Sequence, residues 1–79
     1  MNDTAKEIAQ KHMKKAAIRG SLVSADFIGE GSGRFIHMVV ETERCGSLLW
    51  DMYSLDLTPK NRVRSCMESG SMQKPNPKN

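Results

Sequence analysis

The stretch 35–57 constrains the fold of this chain more than any other part. Two apolar runs rich in β-branched and aromatic residues, FIHMVV and SLLWDMYSLDL, flank a charged link, ETERCG, that ends in glycine. Apolar runs on either side of a short polar link are typical of a β-hairpin. The whole chain has only 79 residues, so we expect one small domain whose remaining elements pack against this hairpin.

An amphipathic helix is predicted ahead of the hairpin. Thr4 and Glu7 have the spacing of a capping box at a helix N-terminus. Gly20 is the expected C-terminal stop, which gives a helix of about four turns. Apolar residues recur at three- and four-residue steps and form one stripe: Ala5, Ile8, Ala9, Met13, Ala16 and Ala17.

Three strands are predicted next. Residues 21–28 alternate like a strand, and the glycine-rich segment 29–33 is expected to be a hairpin connection. The segment lacks the strand–loop–helix context of a phosphate-binding loop. His37 and Asp51 would be costly to bury unpaired. The residues on the opposite sides of their strands are therefore assigned to the helix: Ile36, Met38, Val40, Leu48, Trp50 and Met52.

The end of the chain is expected to be a short helix and a tail. Thr58 and Pro59 are typical N-cap and first-turn residues. The apolar side of this helix would consist of Val63, Cys66 and Met67, and Gly70 would end it. The predicted fold class is α+β, in the order α-β-β-β-α, with a three-stranded antiparallel sheet packed by an N-terminal amphipathic helix and a short C-terminal helix. The domain would span 1–70, and 71–79 would be a disordered tail.

The second face of this predicted sheet is unusually apolar for a solvated surface. It would carry Phe35, His37, Val39, Leu49, Tyr53 and Leu55 beside Asp51. Two interpretations remain open: the C-terminal helix covers this face, or the face is open and recruits a partner or a second copy of the chain. Under the second interpretation the partner-binding residues would be Phe35, His37, Val39, Asp51 and Tyr53.

Basic residues give a net charge of +3 and fall in two clusters. They are compatible with nucleic-acid binding, but a solvated lysine surface is the interpretation that the mild charge excess favours. The predicted basic face consists of Lys6, Lys11, Lys14, Lys15, Arg19, Lys60, Arg62 and Arg64.

Catalytic and metal chemistry find little support in the sequence. His37 and Asp51 could pair across the sheet, but no nucleophile accompanies them. The spacing of His12, His37, Cys45 and Cys66 matches no zinc motif. We therefore expect no enzyme, no metal and no cofactor. Two isolated cysteines and the lack of an apolar N-terminal segment or membrane-spanning run lead us to expect a cytoplasmic protein with free thiols.

The hairpin also resembles a known family. Segment 46–55, GSLLWDMYSL, resembles without a gap the Gly-x-Met-Val-Trp-x-Ala-Trp-Asn-Phe segment of the YkfF-like family, small uncharacterised proteins of enterobacterial prophages and plasmids. Segment 36–40, IHMVV, is similar to that family's Phe-Arg-Leu-Val-Val strand. Tyr53 stands where the family has a second Trp, and Ser69 with Gly70 falls near its closing Ser-Gly.

The resemblance implies a mobile-element accessory protein, and in size and simplicity the chain resembles anti-CRISPR proteins. We expect a non-enzymatic phage or plasmid protein that binds and inhibits a host protein or ribonucleoprotein complex, with a CRISPR effector as the most specific target, by steric occlusion. A homodimer through the apolar face is a further expectation. The alternative is a small nucleic-acid-binding regulator that uses the basic N-terminal helix.

Overall fold

The computed structural model describes residues 4–29 and 34–75, which form one helix and four strands. In chain order these are α1 (Ala5–Lys15), β1 (Ser21–Ile28), β2 (Arg34–Arg44), β3 (Ser47–Leu57) and β4 (Val63–Gln73). The strands form one antiparallel sheet in the order β1-β2-β3-β4. The fold is α+β as predicted, but it has four strands instead of three and β4 in place of the C-terminal helix. The one described helix is too short to cross a membrane.

The start of α1 is confirmed. The Thr4 side-chain oxygen accepts a hydrogen bond from the Glu7 backbone N–H at 3.1 Å, and the Glu7 carboxylate accepts one from the Thr4 backbone N–H at 2.8 Å. This reciprocal pair is the capping box, which satisfies two backbone donors that a helix start leaves free.

The predicted end of α1 is wrong. The helix stops at Lys15, about one turn early, because Ala17 adopts a left-handed backbone with φ of 56°. The Ile18 N–H then donates to the Met13 carbonyl at 2.9 Å, the bond that closes a Schellman motif. Gly20 has a different role. A Cβ placed there would lie 2.3 Å from the Glu41 carbonyl oxygen, so only glycine lets the chain enter β1 this close to β2.

The boundaries of β1 agree with the prediction, but its alternation is interrupted. The register with β2 shifts between Leu22 and Ser24, which marks a β-bulge. Leu22 and Ala25 consequently both pack against the core, while Val23 is exposed. Most of the predicted glycine-rich connection, residues 30–33, lies outside the described residues.

A two-residue turn sets the register of the central hairpin. Cys45 and Gly46 both have positive φ, 53° and 78°, as a type I′ turn requires. Arg44 therefore pairs with Ser47, and counting back along the ladder places Val40 opposite Asp51. Directly opposite residues share a sheet face, so Asp51 faces α1 together with Val40.

The core lies between α1 and this face of the sheet. Ile36, Met38 and Val40 face the helix, as predicted, and are fully buried. The prediction for β3 is wrong, because Leu48, Trp50 and Met52 lie on the opposite face. The β3 residues on the helix side are instead Asp51, Tyr53, Leu55 and Leu57. From α1 the core receives Ala5, Ile8, Ala9 and Met13.

The predicted C-terminal helix is replaced by β4. The Thr58 side-chain oxygen does accept backbone N–H groups, from Lys60 at 3.3 Å and Arg62 at 3.1 Å. Asn61 takes a left-handed φ of 63°, however, which turns the chain back along β3 instead of starting a helix. β4 then runs through Gly70 to Gln73, so the first three residues assigned to the tail belong to the sheet.

Candidate functional site

One face of the sheet carries an apolar surface with no helix on it. Among residues 4–29 and 34–75 the only helix, α1, packs on the other side. We call this surface the open face, and its apolar residues are Ile28, Phe35, Val39, Leu48, Trp50, Met52, Met67 and Met72. Five of the seven exposed large apolar side chains in the described chain lie here, including Met67 at 68% exposure. Because large exposed apolar patches are uncommon on monomeric proteins, the open face is the candidate interaction surface of this chain.

Trp50 is held in a fixed orientation on the open face. Its indole Nε1–H donates to the Glu41 carboxylate at 3.1 Å, and Lys74 Nζ lies 3.3 Å from the same oxygen. The hydrogen bond from Trp50 is the largest cause that lowers the pKa of Glu41. Desolvation opposes it by a smaller amount, and Lys74 lowers the pKa further. A half-buried indole fixed by a charged acceptor has little side-chain freedom left to lose if another molecule covers it.

The five predicted partner-binding residues do not share one surface. Phe35, His37 and Val39 lie on the open face, whereas Asp51 and Tyr53 lie on the helix side. Tyr53 packs against the core, where burial first and then the Asp51 charge raise the pKa of its phenol. A charged residue at Tyr53 would therefore disturb the fold itself.

Sequence reasoning missed Trp50, Met52 and Leu48 as candidates for the open face. The signal that could have found them is the Cys45-Gly46 dipeptide. Read as a two-residue turn, it fixes the β2–β3 register and places these three side chains opposite the buried face of the hairpin.

Asp51 is a structural residue. It is only 7% exposed, and its Oδ1 atom accepts hydrogen bonds from Arg44 Nη2 and from Ser71 Oγ, both at 2.7 Å. The Arg44 guanidinium also reaches Ser71 at 3.3 Å. The three groups link β2, β3 and β4, which explains how a carboxylate can lie on the core side of the sheet.

The His37–Asp51 pair considered above does not form, since the two side chains lie on opposite faces. His37 lies instead between Asp26 of β1 and Ser54 of β3, in one row across the open face. No hydrogen bond joins these three side chains in the described structure, so the row is not assembled as an acid–base relay.

The predicted basic face divides around two grooves. Lys11, Lys15, Lys60, Arg62 and Arg64 line a groove between α1 and the β3–β4 connection. A second groove, between α1 and β1, is lined by Lys11 and Lys14 together with Glu7. Lys6 and Arg19 are exposed and line neither groove.

The four residues considered as metal ligands lie apart. His12 is on α1, His37 on the open face, Cys45 in the β2–β3 turn and Cys66 on β4, and no metal-binding group is found among the described His, Cys, Asp and Glu residues. Both cysteines are free and exposed. Partial burial, with Glu68 nearby, raises the pKa of the Cys66 thiol, so it is less reactive at neutral pH than an ordinary thiol.

Comparison with known proteins adds no relative: no family model, no curated protein and no solved structure matches the chain.

Proposed function

We propose that this chain is a non-enzymatic interaction protein that binds a partner protein through the open face. The observation that carries the proposal is the contrast between the two sides of one sheet. One side is sealed by α1, while the other presents Trp50, Phe35 and Met67 without a covering element in the described chain. Burial of apolar surface favours association, and buried aromatic residues provide much of the binding energy of a complex.

The charges on the open face favour a partner that is basic as well as apolar. Two cations reach carboxylates of the open face and are already engaged: Arg64, which also borders the groove beside α1, pairs with Asp56 at 3.1 Å, and Lys74 pairs with Glu41. Asp26 and Glu43 form no ion pair with a described residue, so the surface keeps an acidic excess. Complementary charge on a partner would steer association and select against acidic surfaces.

The edges of the sheet are poorer docking sites than its face. The edge strand β1 contains a bulge near Val23, and β4 has two register shifts in its ladder with β3, one near the start of β4 and one in its middle. Bulges of this kind protect an edge from pairing with another strand. The open face has no comparable protection.

The finer proposal is that binding inhibits a host complex, with a CRISPR effector as the most specific target. Its support is the segment similar to the YkfF-like family and the small size of the domain, not the structure. Steric occlusion fits a domain that has a binding face and no assembled catalytic group among its described residues.

A matched pair of phenylalanine variants tests the role of the open face. Phe35 and Phe27 are 38% and 39% exposed and lie on adjacent strands, but Phe35 is on the open face and Phe27 is on the helix side. Tagged wild type, Phe35→Ser and Phe27→Ser would be incubated with nuclease-treated host lysate and washed at high salt. The captured partner would then be purified and titrated against each variant while the emission of Trp50, the only tryptophan, is recorded.

The proposal predicts a stoichiometric, salt-resistant partner that binds wild type and Phe27→Ser, blue-shifts the Trp50 emission, and loses affinity by tenfold or more, about 1.4 kcal/mol, for Phe35→Ser. Equal loss for both variants, or no loss for Phe35→Ser, would contradict it. Sedimentation of the isolated chain gives the other decisive outcome. A dimer that Phe35→Ser dissociates would make a second copy, and not a foreign protein, the occupant of the open face.

A further inference from the structure

A second surface on the other side of the molecule has the character of an anion-binding site. The groove between α1 and the β3–β4 connection has a volume of about 710 Å³ and is bordered by five cationic side chains, Lys11, Lys15, Lys60, Arg62 and Arg64. Among the described residues, no carboxylate lines it. A volume of this size is within the range of sites that hold small organic ligands, and it is larger than a single ion needs.

Most of this positive charge is not neutralised by residues that the structure describes. Of the five cations, Arg64 is paired with Asp56 across β3 and β4. Lys15, Lys60 and Arg62 form no ion pair with any residue of the described ranges. Lys15 belongs to α1, and the other two belong to the connection opposite it. Charges on both walls can contact successive anionic groups of one ligand.

Two polar atoms inside the groove also lack partners. His12 Nε2 and Asn61 Oδ1 are both buried and make no hydrogen bond within the described structure. An unsatisfied buried polar atom is energetically unfavourable, so such atoms are usually paired with a ligand or water. Burial, and secondarily Lys15, lower the pKa of His12, which leaves its imidazole neutral at pH 7 and able to donate or accept one hydrogen bond.

We propose that this groove binds single-stranded nucleic acid, with backbone phosphates on Lys15, Lys60 and Arg62 and one nucleotide hydrogen-bonded to His12 and Asn61. A strand is favoured because the unpaired cations lie on two walls, which matches a ligand with repeated negative charge. A single strand is favoured over a duplex because only an unstacked nucleotide can bring its polar edge to atoms buried inside the groove. The proposed site therefore differs from one that is formed only by the exposed lysines of α1.

The apolar part of the groove is consistent with this ligand. Ile8, Ala16 and Val63 line it beside the polar atoms. They offer a base an apolar contact but no aromatic stacking surface. The contact should therefore contribute little base preference, and affinity should depend mainly on the phosphate contacts.

Fluorescence anisotropy with a labelled single-stranded oligonucleotide of about ten nucleotides tests the proposal. Measurements between about 50 and 200 mM salt should give a log–log slope near −2, since each phosphate contact on a single strand contributes about −0.7. Arg62→Gln should reduce the slope by about 0.7 and weaken binding at low salt by about three- to tenfold. Lys6→Gln is the matched control, because Lys6 carries the same charge on the same protein but lies outside the groove.

Competition and NMR provide the remaining arms. Addition of the oligonucleotide should shift the His12 Cε1–H resonance and raise its titration midpoint, because phosphates near the imidazole favour its charged form. If pyrophosphate or a mononucleotide bound as tightly as the oligonucleotide, the ligand would be a small phosphate compound, and the proposal of a nucleic-acid strand would be wrong. If Lys6→Gln and Arg62→Gln weakened oligonucleotide binding equally, or if the His12 resonance did not change, the groove would not be the binding site.

Discussion

Asp51 is the best place to test how this sheet is held together. Replacement by Ala removes the Ser71 hydroxyl bond at 2.7 Å, and a bond to a buried charge contributes about 1.5–3 kcal/mol. It also removes the Arg44 contact, but that guanidinium is 53% exposed, which limits its contribution to about 1 kcal/mol or less. We expect Asp51→Ala to lower the free energy of unfolding by about 2–4 kcal/mol, and Asp51→Asn, which keeps a carbonyl acceptor, by about 1–2 kcal/mol.

Urea unfolding followed by far-UV circular dichroism measures both changes, and an unchanged m-value shows that the folded and unfolded ensembles remain comparable. Double-mutant cycles with Ser71→Ala and Arg44→Gln separate the two partners. The coupling of Asp51 to Ser71 should exceed its coupling to Arg44. The reverse order, or a loss below about 1 kcal/mol for Asp51→Ala, would refute the view that a buried hydrogen bond, more than the surface ion pair, keeps this carboxylate on the core side.

Three further perturbations follow from the backbone and from His12. Ala17→Gly should stabilise the protein by about 0.5–1 kcal/mol in urea unfolding, because glycine adopts the left-handed backbone of position 17 without strain. The greater entropy of the unfolded glycine chain offsets only part of this gain. Destabilisation would contradict the helix end described here. Gly20→Ala should lower stability by more than about 3 kcal/mol, since its φ is 124° and its Cβ would meet the Glu41 carbonyl; a wild-type melting temperature would refute that close approach. Stability should also fall with pH below about 6.5, because burial and Lys15 lower the pKa of His12 in the folded state, so the unfolded chain takes up the proton first. His12→Gln should flatten this part of the stability profile, and an unchanged slope would show that His12 is not its source.

The elements that were predicted correctly are those whose local signals agree with their tertiary surroundings. Thr4 and Glu7 have one good arrangement, a capping box, and they adopt it. Segment 21–28 alternates between two glycine-containing boundaries and is a strand over that range. In β2, Ile36, Met38 and Val40 point to the core, and no charged residue of that strand is buried beside them.

The sequence alone predicts the wrong face for β3, because it gives Asp51 no visible partner. The partners are Arg44 and Ser71, which are 7 and 20 residues away in sequence, so the residues around Asp51 do not reveal them. The two-residue turn at Cys45 and Gly46 carried the correct register, but cysteine is an uncommon residue for a left-handed turn position.

β4 could not be recognised from its own composition. Val63, Cys66 and Met67 have helical spacing, and the strand is rich in serine and poor in β-branched residues. Its conformation is set by its neighbour: ladder bonds to β3 extend from Val63 to Gln73. The Thr58-Pro59 signal is genuine, but the bonds that Thr58 accepts stabilise a reversing connection. A capping residue shows where backbone N–H groups need an acceptor, and not which element follows.

The same strand also separates the two proposed binding surfaces. Since β4 extends the sheet and does not cover it, the open face keeps its apolar side chains and the acidic excess of Asp26 and Glu43. The connection that leads into β4 places Lys60 and Arg62 on the helix side, next to Lys15. A phosphate backbone drawn to the groove would be repelled by the open face, and a basic partner drawn to the open face would be repelled by the groove. One ligand therefore cannot serve both surfaces, and Phe35→Ser and Arg62→Gln should each weaken one binding activity and leave the other unchanged.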